Sequence, residues 1–129
     1  MTIFGIGVDV VEIRRIQQSM DRLGDAFLNR VFTAGERSYC EPMKFAARHY
    51  AARFAAKEAI AKAFGTGIGE DLSWQDMDIR RRKSGQPFVI LSGCGKDFAE
   101  RRSISMVMIS MSHSDDYAAA NAVACTEDF

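Results

Sequence analysis

The stretch ARFAAKEAIAKAFGTGIG, from Ala52 to Gly69, constrains this chain more than any other. It is an alanine-rich helix former, yet it carries Arg53, Lys57, Glu58 and Lys62 on more than one side. At about 100° of rotation per residue, Arg53 and Lys57 share one face and Glu58 and Lys62 another, while Ala52, Ala56, Ala59, Ile60 and Ala63 take a third. A surface helix sets its charges opposite a single apolar stripe. This one reads as mostly buried with charges at its edges, and charges near buried ground need partners.

Around that helix the chain of 129 residues reads as one domain over its whole length, residues 1–129. TIFGIGVDVVEI, Thr2 to Ile13, is β-branched and apolar with glycines, a buried first strand. The helical spacing of Ile13, Ile16, Met20 and Leu23 stops at Gly24. Thr33 followed by Glu36 is a capping-box pattern that opens another helix. Pro42 separates it from the long helix, which the pattern runs from about Met43 to Phe64, with Gly65 as its left-handed cap. WQDMDIRRRK, SGQP and FVIL form a hairpin, GCGKDFAERR a short helix, and SISMVMISMSHS and YAAANAVACTE two further strands. Helices early and strands late predict an α+β fold, its mainly antiparallel sheet packed on a long central helix.

Basic and acidic residues balance at 17 each, which argues against a dedicated nucleic-acid binder. Three scattered cysteines predict neither a disulfide framework nor a zinc site, and suit a reducing cytoplasm. No basic leader precedes the first apolar run, Asp9 interrupts it, and ISMVMISM is too short to span a bilayer, so neither a signal peptide nor a membrane partner is expected.

Four constellations carry chemistry. Asp9 lies within an apolar strand and Glu58 among alanines; two such carboxylates repel unless a proton or cation lies between them. Oxygen donors with little histidine favour Mg²⁺, which takes one or two carboxylates plus water and substrate phosphate. The plainer alternative has Asp9 capping a turn and Glu58 paired with Lys62 at i+4. The second set is Arg48, His49, Arg53, Lys57 and Lys62, followed by the glycine loop. His49, Arg53 and Lys57 stack at i+4, a face that repels itself unless an anion is present, and loop amides can approach a phosphate. As a plainer reading, Gly65 only stops the helix. Third, His113 in MSHSDD sits where an apolar strand meets a polar turn, a place for proton transfer, phosphate binding or a backbone hydrogen bond. Fourth, Arg14, Arg15 and Arg22 form either a solvated face or a docking site for an acidic partner.

GIGVDVVEI, RFAAKEAIAKAFGTGIG, SGQP and SHS occur in this order and at separations that resemble the holo-acyl-carrier-protein synthases, the small bacterial type of 4′-phosphopantetheinyl transferase. The resemblance spans essentially the whole chain, and the Lys57-Glu58-Ala59 core with Lys62 is its specific part. It implies transfer of 4′-phosphopantetheine from coenzyme A to a serine of apo-acyl carrier protein, with release of adenosine 3′,5′-bisphosphate, in the service of fatty acid biosynthesis. By the same resemblance, Asp9 and Glu58 would hold Mg²⁺, while Arg53, Lys57 and Lys62 would contact coenzyme A phosphates. Arg48 or His49 would add to its 3′-phosphate site. Gly65, Thr66, Gly67, the turn Gly85-Gln86-Pro87 and His113 would line the nucleotide site. Arg14, Arg15 and Arg22 would meet the acidic recognition helix of the carrier, and the chain would form homotrimers with sites between subunits. Lys62 suits the charge of the departing phosphate; Glu58, His113 and a metal-bound water all remain open as the base. A non-catalytic coenzyme A-binding module would share the basic face and loop without needing Asp9, Glu58 and Lys62 together.

Overall fold

The computed structural model describes residues 1–127. In chain order they form β1 (Thr2–Glu12), α1 (Ile13–Leu23), α2 (Asp25–Val31), α3 (Ala34–Cys40) and α4 (Ala46–Phe64), then β2 (Met77–Arg81), β3 (Pro87–Leu91), α5 (Gly93–Arg101), β4 (Ile104–His113) and β5 (Tyr117–Thr126). Both sheets are antiparallel: three strands in the order β1-β5-β4, and the separate β2-β3 hairpin. The expected α+β arrangement around one long helix is the one observed.

The alanines of α4 are explained by how closely β1 approaches. A Cβ added to Gly5 would run into the Ala63 carbonyl, and one on Gly7 into the Ala59 carbonyl. Glycine on the strand and alanine on the helix therefore set this spacing together. Gly7 pairs with Ala122 and Asp9 with Ala120 of β5, so the second strand under the helix is lined with small residues too. Ala55, Ala56, Ala59, Ile60 and Ala61 have no exposed surface, which is why the helix shows no single apolar stripe. On one side α4 joins a core containing Met77, Ile79, Phe98 and Ala120; on the other its Tyr50 meets Ile16, Val31 and Phe32 of the early helical region.

Alternation on β1 sends Gly5, Gly7 and Asp9 inward and Ile6, Val8 and Val10 outward, where these three are 62–70% exposed.

Three boundaries differ from the sequence expectation. α4 begins at Ala46, because Phe45 at its N-cap has a non-helical backbone (φ −117°, ψ 66°). Gly24, at φ 55°, both ends α1 and starts α2, a helix with no capping side chain to announce it. Trp74–Asp76 form a 3₁₀ turn, held by reciprocal capping between Ser73 and Asp76, so the hairpin strand starts only at Met77.

Candidate active site

Asp9 reaches the site from the inward face of β1, and Glu58 and Lys62 from one side of α4. The Lys62 ammonium lies 3.1 Å from Asp9 Oδ1 and donates to the Val8 carbonyl at 2.8 Å. Lys62 thus reaches across to the strand, with its side chain half exposed and that of Asp9 at 18%. Glu58 is half-buried. Burial first and the Asp9 charge second push its pKa up, and Lys62 partly offsets them. The carboxylates therefore do feel one another's charge. Hard oxygen donors where negative charge is under-compensated fit a divalent cation such as Mg²⁺. Among the described residues no three metal-binding side chains gather, so water and a substrate phosphate would complete any coordination shell.

The expected basic face is not a surface. Lys57 has no exposure, and its ammonium contacts Glu36 Oε1 at 2.7 Å, the Val31 carbonyl at 2.7 Å and the Trp74 carbonyl at 3.0 Å. Lys57, expected at the coenzyme A phosphates, points into the fold in this chain. Arg53, 1% exposed, donates to the His49 carbonyl and lies with its guanidinium 4.2 Å from the centre of the Tyr39 ring. Its Nε has no hydrogen-bond partner among the described residues.

The remaining cations assemble at the other end of α4. His49 and His113 meet edge to face, ring centres 5.3 Å apart, and Tyr39 packs against His49 in the same manner. Arg48 pairs with Asp115 of the β4–β5 turn at 3.3 Å. The pKa of His49 is lowered, by burial first and then by His113, Arg53, Arg81 and Arg48. Such a crowded cationic cluster is suited to an anion. Tyr39 and Arg81 belong to it but lie far along the chain from His49, so helical spacing did not reveal them. His49 precedes Glu58 by nine residues, so the two clusters stand roughly 13 Å apart along the helix axis.

The loops hold fewer free amides than the sequence implied. Gly65, at φ 77°, donates to the Lys62 carbonyl, and Gly67 donates to the Ala61 carbonyl; both amides close the helix instead of facing a ligand. Thr66 Oγ1 donates to the Gly67 carbonyl. Gly85, at φ 91°, forms the hairpin turn, with Arg82 and Gln86 bonded across it and Pro87 beginning β3. Arg14, Arg15 and Arg22 are exposed on α1, the first two beside Glu12. Arg14 alone of the three lines a groove of about 720 Å³, whose other walls include Met20, Lys44, Phe45 and Tyr117.

The family model of the 4′-phosphopantetheinyl transferase superfamily matches residues 5–122. Over 121 residues the chain is 46% identical to a holo-[acyl-carrier-protein] synthase of Chlamydia trachomatis serovar L2, covering 94% of this chain and 98% of the relative. The crystal structure of holo-[acyl-carrier-protein] synthase from Neisseria meningitidis superposes with a TM-score of 0.91 at 35% identity, over 97% of this chain and 100% of that one. That of the Helicobacter pylori synthase, in complex with coenzyme A, gives 0.84 at 32% identity, over 93% and 99%.

Proposed function

The chain belongs to the 4′-phosphopantetheinyl transferase superfamily, a family of transferases, and from that membership we propose that it carries out the holo-[acyl-carrier-protein] synthase reaction. In it, 4′-phosphopantetheine passes from coenzyme A to a serine hydroxyl of an apo-acyl carrier protein. The observation that carries the reading is the Asp9, Glu58 and Lys62 cluster on closely packed β1 and α4.

The serine oxygen attacks the phosphorus bearing pantetheine, the bond to the bridging pyrophosphate oxygen breaks, and adenosine 3′,5′-bisphosphate departs. Asp9 and Glu58 hold Mg²⁺, which when bound neutralises pyrophosphate charge. Lys62 spends two donors on Asp9 and the Val8 carbonyl, leaving one N–H for the departing phosphate oxygen. The serine proton goes to Glu58 or to His113; loss of the pH-profile limb in Glu58→Gln or in His113→Ala tells them apart. Arg48, His49, Arg53 and His113 receive the 3′-phosphate, and the Gly65-Thr66-Gly67 and Gly85-Gln86-Pro87 turns line the nucleotide. Arg14, Arg15 and Arg22, with the adjoining groove, meet the acidic helix of the carrier.

One domain over residues 1–129 performs this. The 13 Å between clusters and the apolar outer face of β1 support a homotrimer, in which the carboxylates of one chain face the histidines of the next. The enzyme works in the cytoplasm and supplies carriers for fatty acid biosynthesis. Among the described residues no helix is long and apolar enough to cross a membrane.

Calorimetry with coenzyme A and with its analogue lacking the 3′-phosphate tests the substrate reading. With Mg²⁺ present, the analogue binds about 10-fold or more weakly, as loss of a charge-assisted contact implies. Equal affinities, or coenzyme A binding indifferent to Mg²⁺ without turnover, would contradict it.

A further inference from the structure

We infer that Lys57 and Glu36 act as an internal positioning pair for the transfer reaction, and that Lys57 does not bind phosphate. The role in the reaction rests on the activity proposed above; the pair itself does not.

An ammonium has three protons to donate. Those of Lys57 are matched by Glu36 Oε1, the Val31 carbonyl and the Trp74 carbonyl, at 2.7, 2.7 and 3.0 Å, and the side chain has no exposed surface. No donor remains for a ligand. Glu36 is equally occupied: Oε1 also accepts from the Thr33 amide at 2.8 Å, and Oε2 from the Ile79 amide at 2.6 Å. These partners come from the end of α2, the start of α3, the 3₁₀ turn and β2. Charge-assisted bonds therefore fix the rotation and height of α4 at the residue next to Glu58 and five before Lys62. Buried pairs of this kind add little net stability but penalise any arrangement that separates the charges. The phosphate-facing work stays with Lys62, which is half exposed.

The test is a double-mutant cycle of Lys57→Met, Glu36→Gln and both together, well below the melting temperature of the weakest variant. Each variant is measured by coenzyme A calorimetry with Mg²⁺, by steady-state kinetics and by urea unfolding. Each single substitution should lower kcat about 10-fold, the scale of lost supporting contacts, with coenzyme A affinity held within about threefold. The double variant should be no worse than the poorer single one, because the same pair is lost once. Should Lys57→Met not fold, Glu36→Gln and the double variant carry the same comparison.

Two results overturn the inference. One is about 10-fold weaker coenzyme A binding confined to variants lacking Lys57. The other is unchanged kcat in all variants despite lower stability, which would leave the pair no part in positioning. Wild-type protein that binds no coenzyme A contradicts the proposed activity instead. The pair is then judged by urea unfolding, where independent, additive effects of the two substitutions refute it.

Discussion

Glu58 loses by being charged in the folded protein, since burial and then the Asp9 carboxylate oppose its ionisation. A carboxyl whose folded pKa is raised contributes stability that is complete below its unfolded value of 4.5 and is lost as pH rises through the folded value. Free of divalent cation at neutral pH, Glu58→Gln should therefore melt higher than wild type, by on the order of 1–3 °C. Mg²⁺ should raise the melting temperature of wild type at neutral pH, less so near pH 4.5, and not that of Glu58→Gln. Both Glu58→Gln and Asp9→Asn should fold and lose at least about 100-fold in kcat; wild-type rates in either would remove the metal assignment. Asp9 and Glu58 were legible in the sequence because a carboxylate in an apolar strand or among alanines has no business there without a partner. The burial of Lys57 was not legible, because helical spacing shows only neighbours on the helix. Its true acceptors include carbonyls 26 and 17 residues away.

At the level of elements, the site depends on how closely β1 lies against α4. Gly7→Ala would drive a methyl group into the Ala59 carbonyl, and neither backbone can yield without disturbing the β1–β5 ladder. Urea unfolding should show a loss of about 2–3 kcal/mol. Because Asp9 follows two residues later on the same strand, activity should fall further than stability accounts for. Unchanged stability would mean that the spacing is not set by these glycines. The glycine-bearing strand, the alanine helix, the Thr33–Glu36 box and the Gly65 stop were all readable, since each leaves a local signature. α2 was not: its N-cap is the same glycine that terminates α1, so a single stop signal hid a second start. How the glycine loop uses its amides was not legible either. Its pattern suggested ligand-facing amides, but those of Gly65 and Gly67 are used to finish α4.

For the whole molecule, the outward face of β1 is the feature that local patterns did not reveal. The apolar run predicted a buried strand, whereas Ile6, Val8 and Val10 are left uncovered within the chain. The proposed homotrimer would bury that face and divide the site between chains, so Val8→Asp should yield monomers by sedimentation and lose activity along with assembly. A fully active monomer would remove the shared site. The central claim, transfer of phosphopantetheine to a carrier, is tested most directly by the mass of the carrier itself. Apo-acyl carrier protein incubated with this protein, coenzyme A and Mg²⁺ should gain one phosphopantetheine on its serine, with no gain when coenzyme A is omitted or Glu58→Gln replaces wild type. A carrier of unchanged mass in the complete mixture would contradict the account.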